Sequence, residues 1–105
     1  MKRIIIKVYG SVQGVFFRYT TRKVARKIGL TGFVKNLADG SVYIEAEGTE
    51  SELKKLLEFA KKGPKYAKVE NIKYEFKEAQ NKYKGFDYYF NFQWIYYVDI
   101  IKENK

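Results

Sequence analysis

The sequence predicts an α+β fold in which an antiparallel sheet carries two helices on one face. Three features predict it. Apolar residues recur at strand spacing in short runs rich in β-branched and aromatic side chains, and at helical spacing in two longer runs. Both longer runs end at glycine, where helices commonly stop. The runs follow one another as β-α-β-β-α-β with an extra C-terminal strand, which is the order of a ferredoxin-like split βαβ.

Ile4, Ile5, Ile6, Val8 and Tyr9 form the first strand run. Phe17, Thr21, Val24, Ala25 and Ile28 then fall on one helical face, and Gly29 ends it. Leu30 to Asn36 and Ser41 to Gly48 are two strands joined by Leu37-Ala38-Asp39-Gly40, where Asp-Gly supplies the turn chemistry. Thr49-Glu50-Ser51-Glu52 is a capping box. It opens a helix whose apolar face is Leu53, Leu56, Leu57 and Ala60 and which Gly63-Pro64 stops. Val69 to Phe76 is the next strand, with a stagger between Val69 and Ile72 that signals a bulge or a late start. Phe86 to Phe92, after a polar turn at Lys82-Tyr83-Lys84-Gly85, is the extra strand. Right-handed crossovers order the first four strands 4-1-3-2; the place of the fifth does not follow from the sequence.

Composition narrows the chemistry. With 105 residues and no linker or internal repeat, the chain reads as one domain. It has no cysteine and no histidine, which removes disulfides, thiolate nucleophiles, imidazole bases and the commonest metal ligand. No apolar stretch has transmembrane length and the N-terminus lacks a signal-peptide core, so the expectation is a cytoplasmic protein without a membrane partner. The net charge of +9 favours anionic ligands without choosing among them. Abundant Lys, Glu, Ile and Tyr with a single Met is a usage that leans thermophilic.

Between the first strand and the first helix lies Gly10-Ser11-Val12-Gln13-Gly14-Val15-Phe16-Phe17-Arg18. Glycines in such a loop let successive N–H groups point into one concavity, and the helix start behind them adds partial positive charge. Arg18 can grip two oxygens at once. The plainer reading of two glycines is that they only turn the chain. Asn36, at a hairpin end, is likewise a turn residue on its own.

The longer pattern decides between these readings. GSVQGVFFR, followed by Gly29-Leu30-Thr31-Gly32-Phe33-Val34-Lys35-Asn36 and Asp39-Gly40-Ser41-Val42, resembles the acylphosphatase family, whose motifs have the forms GxVQGVxFR and GLxGxVxNxxDGxV. The resemblance runs over roughly residues 3 to 92. It implies a phosphate-binding loop made of Ser11, Val12, Gln13, Gly14, Val15, Phe16, Phe17 and Arg18, with Arg18 and Asn36 as the catalytic pair. It also implies hydrolysis of acyl phosphates to a carboxylate and inorganic phosphate, a reaction for which neither metal nor cofactor is expected. The chemistry is consistent with this composition, because a carboxylate leaves without much protonation and a loose phosphoryl transition state is stabilised mainly by positioning and charge. Glu50 and Glu52 read as a helix start, and Glu45 and Glu47 as a strand face.

Three departures accompany the resemblance. Ser11 stands where many members carry a basic residue, and Phe33 and Tyr43 stand where tryptophan and an acidic residue are common. Residues 1–92 match the domain, whereas residues 93–105 form an extension. From Phe92 of the domain into the extension, Phe92, Trp94, Tyr96, Val98 and Ile100 alternate, while Ile95, Tyr97 and Ile101 make the other face apolar too. Such a strand needs covering, either by the domain's own sheet or by a second copy in a homodimer.

Two rival classes share this fold. Nucleic-acid binding would use the positive charge and the many aromatics, and Lys84-Gly85-Phe86-Asp87-Tyr88-Tyr89 looks like part of an RNP1 signature. That segment follows the second helix instead of preceding it, and Asp87 brings a negative charge, so nucleic acid is not the expected partner. A non-catalytic interaction domain has no evident need for both Arg18 and Asn36.

Overall fold

The structure is a computed structural model, and it describes residues 1–88. The elements are β1 (Lys2–Ser11), α1 (Phe17–Ile28), β2 (Thr31–Asn36), β3 (Val42–Gly48), α2 (Glu50–Lys62), β4 (Lys68–Glu78) and β5 (Phe86–Tyr88). The strand order is β4-β1-β3-β2-β5, so the expected 4-1-3-2 arrangement is present and β5 extends it beyond β2. β1, β2, β3 and β4 pair antiparallel, whereas β5 runs parallel to β2, which makes the sheet mixed. The predicted last strand reached Phe92; its part beyond Tyr88, the domain boundary at residue 92 and the extension 93–105 lie outside the described residues.

Strand alternation puts Ile4, Ile6 and Val8 of β1, Val34 of β2 and Val42, Ile44 and Ala46 of β3 into the core. Phe17, Thr21 and Ala25 of α1 and Leu53, Leu56, Leu57 and Ala60 of α2 are buried with them. The capping box forms as the sequence indicates: Thr49 accepts from the Glu52 amide, and the Glu52 carboxylate accepts from the Thr49 amide. The irregular spacing at Val69 to Ile72 is a bulge, since the β1–β4 register passes from Tyr9 with Asn71 to Gly10 with Val69 and leaves Glu70 unmatched. Gly10 is needed there, because a Cβ at this position would lie 2.2 Å from the Lys68 carbonyl oxygen.

The helix-free face of the sheet is not open. β4 and β5 occupy opposite edges, so the chain between them must cross the sheet, and it does so over β3. Glu47, only 2% exposed, accepts from the amides of Gln80 (2.6 Å) and Asn81 (2.9 Å) with its two carboxylate oxygens. Beside it, Glu45 accepts from the hydroxyls of Tyr83 and Tyr43 and from the Arg3 guanidinium. Burial and this carboxylate partner push the Tyr83 hydroxyl's pKa well above its ordinary value. The strand face expected at Glu45 and Glu47 is therefore the anchor of a strap, and burial of these carboxylates is tolerated because each is hydrogen-bonded.

Glu47→Ala is expected to lower the unfolding free energy by about 1.5–3 kcal/mol, because it removes the charged, buried acceptor of two part-buried hydrogen bonds. Glu47→Gln, which keeps one carbonyl acceptor, should lose less. Urea denaturation reads both, and an alanine variant as stable as the parent would show that the strap is not held there.

Candidate active site

The β1–α1 loop closes on itself through two left-handed residues, Gly14 (φ 75°) and Phe16 (φ 63°). A Cβ at Gly14 would meet nothing within 4 Å, so the demand for glycine there is one of backbone conformation and not of space. Phe16 is the N-cap of α1 and gives no side-chain hydrogen bond, and no acidic residue lies in that first turn. The contrast with α2 is direct: its first turn is capped by Thr49 and Glu52 and carries Glu50. The N–H groups that open α1 have no such side-chain cap, and the positive end of its dipole has no carboxylate in its first turn.

The loop is tied to the β2–β3 hairpin by one side chain. Gln13 donates through Nε2 to the carbonyls of Leu37 (2.8 Å) and Ser41 (2.9 Å). The hairpin in turn is fixed by Asp39, which accepts from the hydroxyl and amide of Ser41. Those bonds, with Lys7 nearby, hold the Asp39 carboxyl below the usual carboxylate range. Asn36, the last residue of β2, is thereby set beside the loop. Alternation puts it on the same face as buried Val34, on the helix side of the sheet.

These elements enclose a cleft of ≈ 390 Å³ lined by Val12, Gly14, Phe16, Phe17 and Arg18 from the loop and helix start, with Asn36, Tyr19 and Tyr88. Arg18 and Asn36, 18 positions apart in the chain, thus meet in one cavity. Burial lowers the Arg18 pKa, with the nearby Tyr88 acting in the opposite sense; an arginine remains cationic nonetheless. Asn36 Oδ1 is buried and has no hydrogen-bond partner among the described residues. Buried acceptors are normally satisfied, so one left open at a cavity wall suits a ligand or a water.

Not every residue of the predicted loop faces this cleft. Ser11 pairs with Lys68 at the end of β1, Gln13 turns toward the hairpin, and Val15 packs against the core. Tyr19 and Tyr88 also line the cleft and are not among the site residues that the resemblance implies. Tyr19 carried a signal, being next to Arg18. Tyr88 stands out in the sequence only within the RNP1-like segment, and its place in the cleft depends on β5 lying beside β2. Arg26 fixes that strand by donating to the Phe86 carbonyl and the Asp87 carboxylate, both at 2.8 Å.

A two-helix α+β domain with a glycine-bearing loop, an arginine and an open amide in one cleft offers the donors and positive charge that suit a small anion. Comparison with known proteins makes this specific. The acylphosphatase family model matches residues 4–88. The chain is 51% identical over 75 residues to an acylphosphatase of Thermotoga maritima, covering 71% of this chain and 83% of the relative. It is 50% identical over 82 residues to one of Archaeoglobus fulgidus, covering 78% and 91%. The crystal structure of the acylphosphatase from Bacillus subtilis superposes with a TM-score of 0.81 at 38% identity, covering 86% of this chain and all (100%) of that one. The chain belongs to the acylphosphatase family, and it is an enzyme of that class. No helix among the described residues is long and apolar enough to cross a membrane.

Proposed function

We propose that residues 1–92 act as one catalytic domain that hydrolyses acyl phosphates in the cleft between the β1–α1 loop and the end of β2. The observation that carries the reading is the meeting of Arg18 with Asn36, whose Oδ1 is buried and unpartnered among the described residues. Arg18 binds two phosphoryl oxygens through its guanidinium fork, and the N–H groups of the loop and of the first turn of α1 bind around them. As the P–O bond to the acyl oxygen loosens, negative charge stays on the phosphoryl oxygens and grows on the leaving carboxylate. Fixed donors already aimed at that charge lower the barrier without reorganising.

Asn36 Oδ1 accepts a hydrogen bond from water and turns its lone pair toward phosphorus. The water oxygen forms the new P–O bond, the bridging electrons leave with the carboxylate, and the water's proton ends on the phosphate product or in solvent. A carboxylate needs little protonation to depart, so the scheme requires no general acid and no metal. Support for it also comes from the family, whose relatives carry the name acylphosphatase.

Hydrolysis of benzoyl phosphate in ¹⁸O-labelled water, with chelator present, tests this route. The label is expected in inorganic phosphate. Label in benzoate would place the attack on the acyl carbon and remove the assigned role of Asn36.

A further inference from the structure

The cleft is larger than a phosphoryl group needs, and its remaining wall is aromatic. At ≈ 390 Å³ it falls in the range that holds a small organic ligand. Phe16, Tyr19 and Tyr88 line it together with the phosphate-facing residues. Phe16 is 74% exposed and Tyr19 48% exposed, so core packing does not account for either ring. Phe16 also holds a left-handed backbone (φ 63°, ψ 22°), a conformation rarely given to a bulky side chain and one that concentrates at ligand sites. Tyr88 is flanked by two cations: its ring lies 4.2 Å from the Arg22 guanidinium and 5.9 Å from that of Arg18. Arg22 is also 5.7 Å from the Tyr19 ring. One cation one helical turn beyond Arg18 therefore supports two of the three rings.

The geometry points to an acyl subsite: Phe16, Tyr19 and Tyr88 form an aromatic rim that takes the carboxylic half of the substrate and selects acyl phosphates with a flat aromatic acyl group over small aliphatic ones. This rests on the phosphate assignment above and adds the part that assignment leaves open. With the phosphoryl group at Arg18, the acyl group projects toward the cleft mouth where the rings stand. A ring there gains apolar burial and offset or edge contacts, whereas an acetyl group reaches little of that surface. Arg22 is a positioning residue in this scheme and acts through Tyr88.

The test compares kcat/KM for benzoyl phosphate and acetyl phosphate in the full chain, in Tyr19→Ala and in Phe16→Leu. Each replacement is expected to shrink the benzoyl-to-acetyl ratio by about 3- to 10-fold, chiefly through KM for benzoyl phosphate. Inhibition by inorganic phosphate should shift less than twofold in Tyr19→Ala. Calorimetric titration with phenylphosphonate and methylphosphonate reads the rim without turnover, and the phenyl compound is expected to bind the tighter of the two. Benzoyl and acetyl phosphate hydrolysed with an unchanged ratio in both variants would overturn the rim while leaving the hydrolase reading in place. Absence of turnover with both acyl phosphates would instead strike that reading, and the phosphonate pair would then decide the rim alone: equal binding overturns it.

Discussion

Arg18→Ala will lower kcat/KM for benzoyl phosphate by about 100- to 1,000-fold, equivalent to roughly 2.7–4 kcal/mol of transition-state stabilisation by analogy with removing a preorganised oxyanion donor. The loss should appear in both parameters. KM rises because the guanidinium binds the ground-state phosphoryl group, and kcat falls because the same donors oppose the charge spread over the equatorial oxygens in the transition state. Arg18→Lys separates charge from geometry: a lysine restores a cation but not the two-pronged grip, so only part of the activity returns. Folding should change little in either variant, since the guanidinium lines a cleft and is not part of the buried core. An alanine variant with parental kcat/KM would remove Arg18 from the site.

Asn36→Ala will lower kcat to a similar degree, about 100- to 1,000-fold, with a much smaller change in KM. A group that orients water acts on the attacking atom and contributes little to holding the phosphoryl group. Its effect on stability should be close to zero or favourable. Asn36 Oδ1 is buried without a partner among the described residues, so deletion of that acceptor forfeits no hydrogen bond of its own and removes a desolvation cost. Loss of turnover without loss of stability is what distinguishes a working side chain from a turn residue. If Asn36→Ala unfolds at markedly lower denaturant while its turnover persists, the side chain serves the hairpin and not the reaction.

Much of this architecture was readable because local signals agreed with the global arrangement. Thr49 with Glu52 and the alternation in β1 each state their element within a few residues, and the stagger from Val69 to Ile72 located the bulge. That Arg18 of the loop and Asn36 of β2 share a cleft is legible for a different reason: a resemblance spread over two motifs ties them together before any geometry does. What the sequence did not disclose depends on how distant segments meet. Glu45 and Glu47 alternate on a strand like surface residues, and only the crossing of residues 79–85 turns them into buried acceptors. Tyr88 is one of ten tyrosines, and it becomes a cleft residue only because β5 pairs parallel with β2 and Arg26 holds it there. Gln13 belongs to the loop motif, yet its amide serves the hairpin carbonyls.

The roles of Arg18 and Asn36 are tested together by steady-state hydrolysis of benzoyl phosphate by the full chain with a chelator in the buffer, run beside Arg18→Ala and Asn36→Ala with their circular dichroism recorded. Turnover by the intact chain is expected to collapse in both variants while their folded spectra persist. Undiminished turnover in either folded variant, or none by the folded intact chain, would contradict these roles.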